Sequence, residues 1–169
     1  STGALTFLAA PDYENPSDDG LNNDYVVVVR ATDNGSNTSD QTITVTVTNV
    51  DDTNPLITGN TGSAGAATST KTISENSTAV HTFTADEDVT WSLNGGADAA
   101  LFAIDPSSGA LSFADAPDFE NPSDANSGND YVVIVRATDA LSNAADQTVT
   151  VSVSNIIEAG ESGSTTFSK

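Results

Sequence analysis

Apolar and polar positions alternate over long stretches of this chain. Between Gln41 and Val50, Ile43, Val45 and Val47 fall on one side, and Thr42, Thr44, Thr46 and Thr48 on the other. A period of two with one apolar side predicts a strand with one buried face and one wet face. Val149, Val151 and Val153 repeat the pattern. Tyr25–Ala31 and Tyr131–Ala137 are apolar on both sides apart from Arg30 and Arg136, which suits central strands. Val89-Thr90-Trp91-Ser92-Leu93 alternates again and directs Trp91 into a core. Further strands are predicted over Thr70–Ser74, Val80–Ala85, Phe102–Ile104 and Ala110–Phe113, and Asp98–Phe102 alone suits a helical turn. Asn94-Gly95-Gly96, Pro106-Ser107-Ser108-Gly109 and Asn121-Pro122-Ser123 punctuate the strands. Gly59–Ser69, rich in Gly, Ala, Ser and Thr, reads as a mobile loop. About seven short strands in roughly 100 residues predict an all-β, antiparallel Greek-key β-sandwich.

The pattern is duplicated. Residues 1–50 align with residues 107–156 at a constant offset of 106, without a gap, and 32 of the 50 positions are identical. STGALTF, APDYENPSD, NDYVVVVRATD and DQTITVTVTNV in the first copy become SSGALSF, APDFENPSD, NDYVVIVRATD and DQTVTVSVSNI in the second. A period this long suits a tandem array of sandwich domains better than a solenoid. The expected organisation is the C-terminal half of one repeat (1–50, its last three strands), a junction and mobile loop (51–69), a full repeat (70–156) and a tail (157–169). The chain thus reads as a piece of a longer array.

Composition adds chemistry to this frame. The 169 residues include 24 acidic and 4 basic side chains, for a net charge of -20, with no Cys. Phosphate recognition needs Lys and Arg, so a nucleic-acid partner is excluded, and an anionic membrane surface is disfavoured. No apolar run approaches a bilayer span, and no signal peptide is evident. The absence of Cys removes disulfides, thiolate metal sites and Cys nucleophiles. Of the acidic residues 18 are Asp and 6 are Glu. Asp favours turns and strand ends and is a short, stiff ligand for hard cations. Asp12 and Glu14, Asp51 and Asp52, Asp86 to Asp88, Asp118 and Glu120, and Asp33 and Asp139 all fall at predicted strand ends. Strand ends gather at the poles of a sandwich. Carboxylates pooled there repel one another unless a cation intervenes, and calcium takes six to eight oxygens.

These motifs, in this order, resemble bacterial cadherin-like repeats of calcium-dependent adhesins. The resemblance rests on Ile73-Ser74-Glu75-Asn76, Asp86-Glu87-Asp88, Asp12-Tyr13-Glu14 and Asp118-Phe119-Glu120. It rests also on Ala31-Thr32-Asp33, Ala137-Thr138-Asp139 and the linker Asn49-Val50-Asp51-Asp52-Thr53-Asn54-Pro55. It implies a sandwich of the cadherin/immunoglobulin type and Ca2+ between successive repeats. The ligands it implies at the first junction are Asp12, Glu14, Asn49, Asp51, Asp52, Asp86, Asp88 and Asp139. Glu75, Asp118 and Glu120 would serve the next one. There the linker Asn155-Ile156-Ile157-Glu158-Ala159 lacks the Asp pair and the Pro.

The implied function is a calcium-rigidified spacer or adhesion module of a large bacterial protein, secreted or on the cell surface. Its partners would be neighbouring repeats and a homophilic or glycan ligand. The alternative is a carbohydrate-binding module, for which Tyr13, Phe119, Tyr25 and Tyr131 are the candidate aromatics. An enzyme is not expected: the carboxylates track the calcium motifs, and His81 has no triad around it. Arg30 and Arg136 each predict a cross-strand ion pair with an Asp. The polar loops Asp18–Asp24 and Asp124–Asp130 have Asp and Asn at spacings like a calcium loop, but lack its terminal Glu. An incomplete first repeat leaves an apolar face open, which predicts completion by strand exchange in a homodimer.

Overall fold

A computed structural model describes residues 3–157, so the tail beyond Ile157, with Glu158 and Ala159 of the second linker, lies outside the described residues. The chain divides into two compact units, Ser1–Asp51 and Asp52–Lys169. All the regular structure described is β apart from one 3-10 turn at Ala99–Leu101, and no helix among the described residues is long and apolar enough to cross a membrane.

The first unit holds β1 (Asp24–Thr32) and β2 (Thr38–Thr46), paired antiparallel with Val27 opposite Ile43 and Arg30 opposite Asp40. Sequence pattern predicts three strands here, and two form: Ala4-Leu5-Thr6-Phe7 is not strand. The reason is visible in the second copy. There the matching strand is held between two neighbours, and residues 1–51 contain no counterpart of either. Nor is β1 the interior strand its two-sided apolar pattern suggests, because its sheet has only two strands.

The second unit is a complete sandwich of seven strands: β3 (Thr68–Ser74), β4 (Ala79–Thr82), β5 (Thr90–Leu93), β6 (Phe102–Ile104), β7 (Ala110–Phe113), β8 (Asp130–Thr138) and β9 (Ala144–Ser154). One sheet has the order β3-β9-β8-β5 and the other β4-β7-β6. The β3–β9 pair is parallel, an exception to the antiparallel expectation. The alternation of β8 and β9 sends Tyr131, Val133, Val135, Ala137, Val149, Val151 and Val153 inward, where they meet Phe83, Trp91, Phe102, Leu111 and Phe113. Trp91 is thus a core residue, as its alternation predicts. Arg136 pairs with Asp146 directly across the strands at 2.8 Å, and Arg30 with Asp40 at 2.6 Å.

The stretch read as a mobile loop is tied at several points. Gly65 N–H donates to Ile57 O at 2.9 Å and Thr148 N–H to Ala67 O at 2.9 Å. The fully buried Gln147 donates its side-chain amide to Ala66 O at 2.8 Å. β3 consequently starts two residues earlier than the pattern suggests. Gly59 passes so close to this anchor that a Cβ there would lie 2.2 Å from Gln147 Oε1 and 2.6 Å from Ser69 Oγ. Gly59→Ala is therefore expected to destabilise the second unit by about 1–2 kcal/mol through overpacking. Urea unfolding followed by Trp91 fluorescence measures it, and an unchanged midpoint would show that the anchor yields freely.

Candidate metal centre

Glu75 and Asp139 each directly follow a strand, and the other predicted ligands lie in irregular segments outside the strands. In the second unit, Glu75 directly follows β3 and is 2% exposed. Its Oε2 accepts the Phe119 N–H at 2.9 Å and its Oε1 the Ile156 N–H at 2.7 Å. The Ile156 amide, then the Phe119 amide, hold the Glu75 carboxyl below its ordinary range, against the opposing effect of burial. Asp118 and Glu120 lie in the turn that Glu75 binds. Asp118 accepts the Asn121 N–H at 3.0 Å, and Glu120 accepts from the Asn155 side chain. One carboxylate oxygen from each of Glu75, Asp118 and Glu120 lies within 4.8 Å of the other two. A buried acid fixed by two backbone amides thus stands beside two exposed acids. A two-legged hydrogen bond of this kind occupies one lone pair on each Glu75 oxygen and leaves the others for a ligand. Three carboxylates this close suit a hard divalent cation such as calcium, which neutralises their repulsion and accepts oxygen donors at flexible geometry.

The other predicted ligands are shared between the two units. Asp12, Glu14, Asn49 and Asp51 belong to the first, where Asp12 accepts the Asn15 N–H at 3.1 Å. Asp52, Asp86, Asp88 and Asp139 belong to the second. Asp86 accepts the Leu56 N–H at 2.7 Å. Asp139 caps its own turn, accepting from Leu141 N–H at 2.9 Å, Asn143 N–H at 2.8 Å and the Asn143 side chain at 2.8 Å. Burial pushes the Asp139 carboxyl up, and these hydrogen bonds together outweigh it and hold the carboxyl low. Asp33 caps the matching turn of the first copy through Gly35, Asn37 and the Asn37 side chain. Three accepted hydrogen bonds occupy most of the roughly four lone-pair directions of a carboxylate, so Asp139 has little left to offer an ion. A carboxylate oxygen of Glu87, the middle residue of Asp86-Glu87-Asp88, lies within 4.8 Å of one of Asp139. The sequence motif placed Glu87 between the two expected ligands. What it lacked was the direction of each side chain in an irregular turn.

The loops with calcium-like spacing close on themselves. Asp124, 5% exposed, accepts the Gly128 N–H at 2.9 Å and the Asn129 N–H at 3.2 Å. Asp18 does the same for Asn22 and Asn23. Asp98, also buried, accepts the Ala125 and Val132 amides at 2.7 Å each. These acids are structural. Of the aromatics offered for a sugar platform, Tyr131 is fully buried and Phe119 is half-buried against the core.

No protein-family model matches the chain. A stretch of 40 residues, 24% of the chain, is 50% identical to Halomucin of Haloquadratum walsbyi, of which it spans 0% to the nearest per cent. Among solved structures, the chain resembles protocadherin gamma B7 extracellular cadherin domains 1–4 with a TM-score of 0.52 and 18% identity, over 78% of this chain and 39% of that one. It resembles human CDH23 EC21-23 with a TM-score of 0.51 and 21% identity, over 83% and 46%. It also resembles the protocadherin gammaB7 EC3-6 cis-dimer with a TM-score of 0.50 and 20% identity, over 78% and 33%. The chain spans less than half of each of these structures. At such identities the likeness establishes the fold, which is that of a cadherin-like repeat, and it says nothing of a bacterial source.

Proposed function

We propose that this chain is a calcium-binding, cadherin-like spacer and adhesion module of a larger exported protein, secreted or held at a cell surface. One observation carries the reading: at one pole of a cadherin-like sandwich, the carboxylates of Glu75, Asp118 and Glu120 converge within 4.8 Å beside the residues that leave β9. On this reading, calcium joins that pole to whatever follows Asn155. Pooled carboxylate charges then repel and loosen this pole without the ion and stiffen it with the ion. Neighbouring repeats are the primary partners, and no chemistry is assigned to any carboxylate.

Titration calorimetry and thermal melting in calcium test the proposal. Extracellular calcium modules bind at roughly 0.1–1 mM. Mass action at 10 mM, about 10–100 times Kd, then adds about 1.4–2.7 kcal/mol to the stability of the folded state. No heat of binding and no shift of the melt at 10 mM calcium would remove calcium from the account.

A further inference from the structure

The chain carries three Asn-x-Ser/Thr triplets: Asn34-Gly35-Ser36, Asn37-Thr38-Ser39 and Asn76-Ser77-Thr78. Asn15-Pro16-Ser17 and Asn121-Pro122-Ser123 are disqualified by the central Pro. Such a triplet is the acceptor of an N-linked glycan where the Asn amide reaches solvent in a surface loop. The motif also arises by chance in a chain rich in Asn, Ser and Thr, so the fold has to choose among the three.

Asn37 is occupied by the turn that joins β1 to β2. The Asp33 carboxylate accepts the Gly35 amide at 2.8 Å, the Asn37 amide at 2.9 Å and the Asn37 side chain at 2.9 Å. The second copy makes the same bonds, from Leu141, Asn143 and the Asn143 side chain to Asp139. Asn37 is therefore accounted for as a turn residue. Asn76 is accounted for as well. Its φ is +62°, a region in which Asn is enriched, and its N–H donates to Pro117 O at 3.0 Å.

Asn34 has no such duty. The second copy builds the same turn with Ala140 and Leu141 in place of Asn34 and Gly35, so the backbone demands neither. Asn34 and Ser36 are exposed, and neither side chain makes a hydrogen bond among the described residues. This exposure belongs to the turn itself. In the complete sandwich the matching Ala140, Leu141 and Ser142 are exposed too, Leu141 at 56%.

We propose that Asn34 is an N-glycosylation site. The donor is a saccharide joined to a lipid through phosphate or pyrophosphate, and a membrane-bound transferase uses it on exported chains. Asn34 Nδ2 bonds to C1 of the saccharide and gives up one proton. The bond from C1 to the phosphate oxygen breaks, and the lipid phosphate leaves with the electron pair. Ser36 supplies the hydroxyl that the transferase reads two positions along. The glycan places hydrated, uncharged bulk at the end of the β1–β2 hairpin. This inference rests on the proposed export of the chain and not on its calcium sites.

The test secretes the full chain from a eukaryotic host, whose secretory lumen holds such a donor and transferase. Intact mass is read before and after peptide-N-glycosidase treatment in heavy-oxygen water, which leaves labelled Asp at each former glycan site. A glycan is expected, with the label at residue 34. Asn34→Ala, the residue of the second copy, and Ser36→Ala should each lose it, while amide exchange in β1 and β2 shows the hairpin intact. A secreted chain without glycan would overturn the proposal. So would a label at Asn37 or Asn76 but not at Asn34, or a glycan on Asn34 that survives Ser36→Ala. Calcium titration of the same material separates the two readings. A glycan without a calcium response removes calcium and leaves this site standing, and a calcium response without a glycan does the reverse.

Discussion

Phe113→Ala is expected to cost the second unit about 3–5 kcal/mol, the loss of a buried aromatic with partial collapse around the void. Phe7→Ala, the same change at the equivalent position, is expected to cost less than about 1 kcal/mol, as for a side chain that keeps much of its surface in water. Phe113 packs at 4.2 Å from Phe102 and 5.0 Å from Tyr131, and these rings form the centre of the core. Phe7 keeps only the Tyr25 partner among the ring contacts described, and it is 43% exposed. The two substitutions are identical in chemistry and nearly identical in flanking sequence, so their difference isolates the effect of the cover. Urea unfolding followed by Trp91 fluorescence reads the second unit, because Trp91 is the single Trp of the chain. A large downward shift of the midpoint is expected for Phe113→Ala. For Phe7→Ala, amide exchange in β1 and β2 is the sensitive readout. Equal, large losses in both variants would mean that the first copy is covered after all.

The same pair of copies marks how much of the fold was legible in the sequence. Alternation in β8 and β9, the turn signals and the Arg–Asp pairs at a fixed spacing are local patterns, and each one predicts a partner a few residues away. The repeat offset then placed the second copy on the first. Three features escaped. Ala4–Phe7 has the sequence of β7 and not its structure, because a strand in the middle of a sheet exists through neighbours far along the chain. The parallel pairing of β3 with β9 depends on Gln147 reaching Ala66 across 81 positions, which no local window contains. Within the candidate metal centre, the acids were recognised by motif, but their division of labour was not. Asp139 and Asp124 turn back onto their own loops, whereas Glu87 turns toward Asp139. Side-chain direction in a turn follows from positive-φ residues and hydrogen bonds, such as those around Ser127 and Asn129, rather than from periodicity.

Glu75→Gln is the substitution expected to separate the structural and the ion-binding contributions of this pole. Both oxygens of Glu75 accept backbone amides, from Phe119 and Ile156. Gln offers one carbonyl oxygen and turns an NH2 group toward the second amide, so one buried donor loses its acceptor. Without calcium, the melting midpoint of the second unit is expected to fall by about 5–10 °C. With calcium, the ion-dependent increment is lost as well, so the gap between the variant and the parent chain widens as calcium is added. The pH dependence has a defined sign. The folded carboxyl is held below its ordinary value, so its contribution to stability is fully present above the unfolded pKa of about 4.3. That contribution is lost as pH falls from there through the folded value. The parent chain is therefore expected to lose stability below about pH 4.3 more steeply than Glu75→Gln does, and the two melting curves should converge in acid. Asp118→Asn with Glu120→Gln is the complement. It leaves both Glu75 hydrogen bonds in place, so the calcium-free melt should hold near that of the parent chain while the calcium response disappears. A double variant that retains the full response to calcium would place the ion elsewhere and reduce this pole to a backbone clamp.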